Sequence, residues 1–225
     1  MHFGIIISLF HSVSYTQLYS KLESPSFGHE GLLWRGIYGS LFFMENTKTV
    51  AYSKTTITEL MIPSYANFGG KIHGGILLSL MDKAAYACAA KHAAGYCVTV
   101  SIDNVEFRAP VDVGNLVSLN ASINYVGRTS LVVGIKVIAE NIETGEIRHT
   151  NTSYFTMVAK DKAGIPREVP ALALENEDEV RRFMEAMKRK ELKNQFKDEF
   201  DNEKSLIKAQ QNHQLLENER CVITF

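Results

Sequence analysis

From Gly75 to Ala90 the chain reads GILLSLMDKAAYACAA, and its polar side chains are few: Ser79, Asp82, Lys83 and the hydroxyl of Tyr86. Ile76, Leu77, Leu80, Met81, Ala84, Ala85, Cys88 and Ala89 leave no solvated face of ordinary width. That is the pattern of a helix buried on most sides, so the rest of the domain has to wrap it. The loop before it, NFGGKIHGG from Asn67 to Gly75, carries four glycines. They allow a tight turn and close approach of another molecule to the free amides of the first helical turn. With the helix dipole, those amides favour an anion or a developing oxyanion. Asp82 stands alone inside the apolar run. An unpaired buried charge is costly, so Asp82 needs a partner, a water-filled pocket or a chemical task.

Material for the wrapping lies on both sides of the helix. Val50, Tyr52, Thr55, Thr56, Ile57 and Thr58 favour a strand between Thr47 and Met61. Residues 96–103 and 105–110 predict one bent strand, ended by Pro110. In 116–126, Leu119, Ala121, Ile123 and Tyr125 alternate with Ser118, Asn120, Ser122 and Asn124, giving a sheet with one covered and one wetter face. A more apolar strand follows over 130–141, NIETGE turns the chain, and 147–161 returns. One central helix and about five long strands predict an α+β fold, an antiparallel sheet wrapped around a helix.

The flanks read differently. Residues 1–43 include the apolar HFGIIISLF, too short for a bilayer span of roughly 20 residues. The segment also lacks the basic start and small-residue cleavage site of a signal peptide. Met44 precedes the first strand-like sequence, so 1–43 is expected to be a poorly ordered extension or the product of a start assigned too early, the rival being a membrane or targeting segment. The domain proper is expected over 44–165, and 166–225 as a linker with two prolines followed by a charged helical tail. In that tail Val180, Met184, Met187, Phe196 and Phe200 fall at roughly helical spacing, as in an amphipathic helix laid on the domain or on a neighbouring subunit. A regulatory or partner-binding arm is the alternative.

A net charge of −1, with 45% apolar and 22% charged residues, fits a globular domain and gives no electrostatic footprint for nucleic acid. Cys88, Cys97 and Cys221 are scattered, which fits reduced thiols and a cytoplasmic location. The seven histidines have no metal-ligand spacing. There is no GxSxG elbow, and Gly70-Lys71 lacks the flanking residues of a P-loop.

The spacing Asn67-x-x-Gly70-x-x-x-Gly74-Gly75, with Met81-Asp82 beyond it, resembles the acyl-CoA thioesterases of the hotdog fold. VTVSIDNVEFRAPVDVGNLV, VGRTSL and YFTMVA agree in order and spacing, so the resemblance spans about 48–162. It implies hydrolysis of an acyl-CoA thioester to the acid and CoA, with no metal or redox cofactor. It also implies edge-to-edge dimers whose sites lie at the interface, the helix aspartate and loop asparagine of one site coming from opposite units. Those positions here are Asp82 and Asn67. No second copy of the motif is present, so the chain is expected to pair with itself, and dimers of this family often assemble into trimers of dimers. By the same resemblance Arg128, with Thr129 and Ser130, is a candidate for CoA, and Gly74 and His73 for substrate contact.

Geometry points to a shared site independently. Gly75 and Asp82 lie about two turns apart on nearly one helix face, roughly 10 Å along the axis, too far to serve one carbonyl carbon. Two helices antiparallel across a two-fold would bring each start to the other's Asp82. In the expected chemistry the amide of Gly75, or of a neighbour at the helix start, holds the oxyanion, and Asp82 acts as base on a water or attacks directly. Asn67 orients the water or the carbonyl. Plainer roles compete: Asn67 as a turn cap, His73 as the residue that orders the glycines, Arg128 as a surface turn residue, and Lys91 and His92 as complements to a helix C-terminus. The rival functions are a hotdog hydratase or dehydratase, which would want His73 as base, and a non-catalytic acyl-CoA sensor with the charged tail as its arm.

Overall fold

The computed structural model of the chain describes residues 46–210, 216 and 219–224. The extension expected over 1–43 lies outside the described residues. Helix α2, Gly74–Ala93, is preceded by a one-turn helix α1, Val50–Ser53, and runs along an antiparallel five-stranded sheet. The strands are β2 (Thr55–Leu60), β3 (Cys97–Ile102), β4 (Asn115–Val126), β5 (Ser130–Asn141) and β6 (Ile147–Ala159), in the order β2-β4-β5-β6-β3. Strand β1, Thr47–Thr49, pairs with β7, Ala171–Ala173, in a separate two-stranded sheet. This is the expected α+β hotdog arrangement.

The apolar run forms the core as its composition requires. Met81, Ala84, Ala85, Cys88 and Ala89 are fully buried, against Leu119 and Ile123 of β4, Leu131, Val133 and Ile135 of β5, and Phe155 and Met157 of β6. Four of the five central helix residues are alanine or cysteine, which lets the sheet curve closely round the helix. The opposite face of β4 carries Ser118, Asn120, Ser122 and Asn124, as the alternation predicts, but a register shift between Ile123 and Tyr125 takes Tyr125 off the core face to which the alternation assigns it. Ser122 and Asn124 are nonetheless buried. They are covered because a long helix, α3 (Glu177–Gln210), crosses this outer face.

Along α3, the Phe183 ring packs tilted against Tyr125 of β4 at 5.0 Å, and the Arg189 guanidinium lies 3.6 Å from the ring of Tyr154 on β6. Lys193 Nζ then donates to Ser101 Oγ (2.9 Å) and Asp103 Oδ1 (2.8 Å) beside β3. Of Val180, Met184 and Met187, only Val180 is half-buried and both methionines are exposed; Phe183 and Ala186 face the sheet. Tyr125 offers an aromatic surface, and a small residue at 186 lets the helix come down on it.

Two strand expectations change. The 47–61 stretch is broken by α1, which the Thr49 hydroxyl caps by accepting from the Tyr52 amide. The second half of 96–110 is not strand: beyond Ile102 it follows β6 through isolated bonds, Asp103 N–H to Tyr154 O and Arg108 N–H to Thr150 O. At the far end of α2, His92 is fully buried between Pro170 O (Nε2, 3.0 Å) and Ser53 Oγ (Nδ1, 3.5 Å). A carbonyl only accepts, so Nε2 carries the proton and the neutral ring's Nδ1 accepts from the Ser53 hydroxyl. Lys91 Nζ donates to Lys54 O, which fits its reading as a structural residue.

Candidate active site

Asn67 folds its own loop. Its Oδ1 accepts from the amides of Gly69 (2.9 Å) and Lys71 (3.2 Å), and its backbone bonds to Lys71 O and Gly70 N. Gly70 has φ +75°, a left-handed conformation that glycine adopts without strain. The loop is pinned to the start of β4 by Ile72 N–H to Val111 O and by an ion pair between Lys71 and Asp112. The Asn67 side chain is exposed, and its Nδ2 donates to nothing among the described residues. It is therefore both a turn cap and a free donor facing outward.

His73 is the N-cap of α2, its Nδ1 accepting from the Gly75 amide at 2.9 Å. The expected oxyanion donor is thus occupied by an imidazole, which a substrate oxygen would have to displace. The Ile76 and Leu77 amides already bond to His73 O, and the Gly74 amide has no acceptor among the described residues. Gly74 also lies close to Phe107: a Cβ there would stand 3.2 Å from the ring.

Asp82 sits a little over two turns into α2, half-buried, on the flank that faces β3. Its Oδ1 accepts from Thr99 Oγ1 at 2.6 Å, and Thr99 also lies 3.2 Å from Met157 Sδ. The lone carboxylate has a single hydroxyl for a partner and no cation bonded to it among the described residues. Thr99 escaped the sequence reading. The need of Asp82 for a partner was visible, but which residue of VTVSI would meet it depends on how β3 lies against α2.

Arg128, Thr129 and Ser130 form the turn between β4 and β5, with Arg128 exposed. Their carbonyls accept from Val169, Ala159 and Gly127 respectively. This turn is at the end of β4 opposite to the one that anchors the Asn67 loop, roughly 40 Å of strand away. Within one chain, therefore, Asp82 and Thr99 meet, Asn67, Gly74, Gly75 and His73 cluster at the helix start, and Arg128–Ser130 belong to neither group. Among the described residues no three His, Cys, Asp or Glu side chains are placed to hold a metal, and no helix is long and apolar enough to cross a membrane.

The profile of the thioesterase superfamily matches residues 69–146, from the glycine loop through the β5–β6 turn. Protein VdlD of Helicobacter pylori is 48% identical over 145 residues, covering 64% of this chain and 83% of that protein. The chain belongs to the thioesterase superfamily. A structure described as an apo-hexameric acyl-CoA thioesterase shares 37% identity at a TM-score of 0.65, covering 67% of this chain and 96% of that one. The acyl-CoA hydrolase of Staphylococcus aureus, solved with butyryl coenzyme A and coenzyme A, shares 27% identity at 0.64, over 72% and 98%. That hydrolase has also been solved with an asparagine, an aspartate and a threonine each replaced by alanine, the aspartate 15 residues after the asparagine and the threonine 17 after the aspartate. Asn67, Asp82 and Thr99 of this superfamily member stand at the same two intervals.

Proposed function

We propose that the chain hydrolyses acyl-CoA thioesters to the carboxylic acid and CoA, working as a dimer paired through β3. The observation that carries this is Asp82: a half-buried carboxylate on the core helix, held by Thr99 on the edge strand and, among the described residues, with no cation bonded to it. A group so placed is costly unless it has chemistry to do. The replacement of an asparagine, an aspartate and a threonine at matching intervals in the S. aureus hydrolase supports roles for Asn67, Asp82 and Thr99.

Strand β3 ends the sheet, and Val100 and Ile102 along it are exposed, as are Tyr96 just before it and Tyr86 on α2. An open apolar edge of this kind invites antiparallel pairing with a second copy. Such pairing about a two-fold turns the partner's helix start toward the end where this chain carries Arg128, Thr129 and Ser130. It brings the partner's Asn67 loop toward this chain's Asp82, which removes the roughly 10 Å mismatch within one helix. Further assembly of such dimers accords with the hexameric relative.

In this reading the thioester carbonyl oxygen enters the helix start, taking the place of His73 Nδ1 on the Gly75 amide or using the free Gly74 amide. One donor of this type contributes on the order of 100- to 1000-fold in rate. Asp82 of the other subunit either removes a proton from the attacking water or forms an anhydride that water then cleaves. Either way the C–S bond breaks and CoA leaves as a thiolate, stable enough to need little acid assistance. Asn67 Nδ2 orients the water or the carbonyl, and the Arg128 turn receives the CoA phosphates. The hydratase alternative would need His73 as its base, and the Nδ1 of that residue accepts from the Gly75 amide in this chain.

The test is release of free CoA thiol from a panel of acyl-CoAs by the wild type and by Asp82→Asn. The wild type should turn over, and the variant should lose about 100- to 10,000-fold in kcat. Binding without turnover in the wild type would instead establish the sensor.

A further inference from the structure

Helix α3 is longer than the sheet it lies on. It is anchored in sequence over β4 by Phe183, over β6 by Arg189 and beside the edge strand β3 by Lys193. Beyond Lys193 it continues to Gln210, about 25 Å of helix. Every side chain described from Lys190 to Lys208 is exposed. Four of them are large and apolar past the anchor: Phe196 (67% exposed), Phe200 (54%), Leu206 (50%) and Ile207 (59%), with the two phenylalanines stacked at 5.9 Å.

Their register is informative. Arg189, Lys193, Phe196, Phe200 and Ile207 follow one another at intervals of three, four or seven, so they lie on one face of the helix. The first two members of that row touch this chain's sheet; the last three continue the row past the sheet's edge. Whatever they rest on must lie level with the outer face of this sheet and just beyond β3. We propose that it is a second copy of this chain: the distal half of α3 crosses the β3 edge and lies on the outer face of the other subunit's sheet, beside that subunit's own α3. The inference rests on the edge-to-edge pairing proposed above, which places a surface of the right level and position there. It makes α3 a reciprocal clasp, each arm buried by the subunit it does not belong to.

The experiment joins two measurements on the full chain. Sedimentation compares the dimer dissociation constant of the wild type with that of the double variant Phe196→Asp/Phe200→Asp, whose substituted positions touch nothing in the core. Isotopically heavy and light chains are then mixed and treated with an amine-reactive cross-linker. The expected result is a dimer weakened at least about tenfold, together with heavy–light links joining Lys197 or Lys204 to Lys136 or Lys190. An unweakened dimer with links only inside one isotopic chain overturns the clasp and leaves the β3 pairing standing. Loss of a hexamer while the dimer is unweakened also overturns it, since the arm would then join dimers. A monomeric wild type overturns the clasp and the pairing together.

Discussion

Thr99 and Asp82 are 17 residues apart in the chain and meet only because β3 lies against α2. A hydroxyl with one proton, given to one carboxylate oxygen, fixes the rotation of the carboxyl group and leaves the second oxygen for chemistry. Hydrogen bonds to charged groups are worth about 1.5–3 kcal/mol, so Thr99→Val should lower kcat about 10- to 100-fold. KM should hardly change, because the bond aims the reacting group and does not grip the substrate. Thr99→Ser retains the hydroxyl and should recover most of the loss. Steady-state kinetics of the two variants decide it: a Ser variant as impaired as Val would mean that the hydroxyl is not what aims Asp82. At the same scale Asn67 shows how two readings of one residue can both hold. Its Oδ1 closes the loop while its Nδ2 points outward, so a turn cap and an outward-facing donor are two ends of one amide.

At the scale of elements, legibility followed burial. The Gly75–Ala90 run could only be a wrapped helix, and β4 and β5 appear within a residue of their expected limits, because alternation and apolarity are set by the same core that Met81 and Phe155 fill. VEFRAP misled because its residues suit a strand while its bonding is decided by β6, which takes up Asp103 and Arg108 singly and leaves Phe107 to lie by Gly74. Helix α1 was hidden because its start depends on one Thr49 hydroxyl and its end on one bond from Lys54 N–H to Val50 O. His92, read as a structural complement to the helix end, is a buried tie between α2, α1 and the segment leading into β7. Burial, and next to it the Lys48 charge, pull its pKa below the ordinary 6.5, against an opposing effect of the Pro170 bond. The unfolded chain therefore takes up the proton first. This tie contributes its full stability above about pH 6.5, and the contribution drains away as pH falls below that value. Urea unfolding at pH 8 and pH 5.5 should show a larger loss for the wild type than for His92→Gln, which keeps a donor for Pro170 O but cannot charge. Parallel pH slopes for the two proteins would remove His92 from the account.

At the scale of the whole molecule, the candidate residues are dispersed within the single chain. Asp82 with Thr99 lies on the open flank of the sheet, the Asn67 loop and helix start lie at one end, and the Arg128 turn lies at the other. In the proposed dimer, antiparallel pairing through β3 superposes these fragments twice over, once at each end. That has a consequence which no single-site variant can test. Asp82→Asn chains lack the carboxylate, and Asn67→Asp chains lack the outward donor while keeping the Oδ1 acceptor that closes the loop. Each should be inactive alone. When the two are co-folded, half of the dimers are mixed, and each mixed dimer has one site with both defects and one with neither. Activity should therefore return to about a quarter of the wild-type value. If each chain instead completed its own site, every site in the mixture would carry a defect and no activity would return, so thiol release from the co-folded pair measures directly whether catalysis is shared across the two-fold.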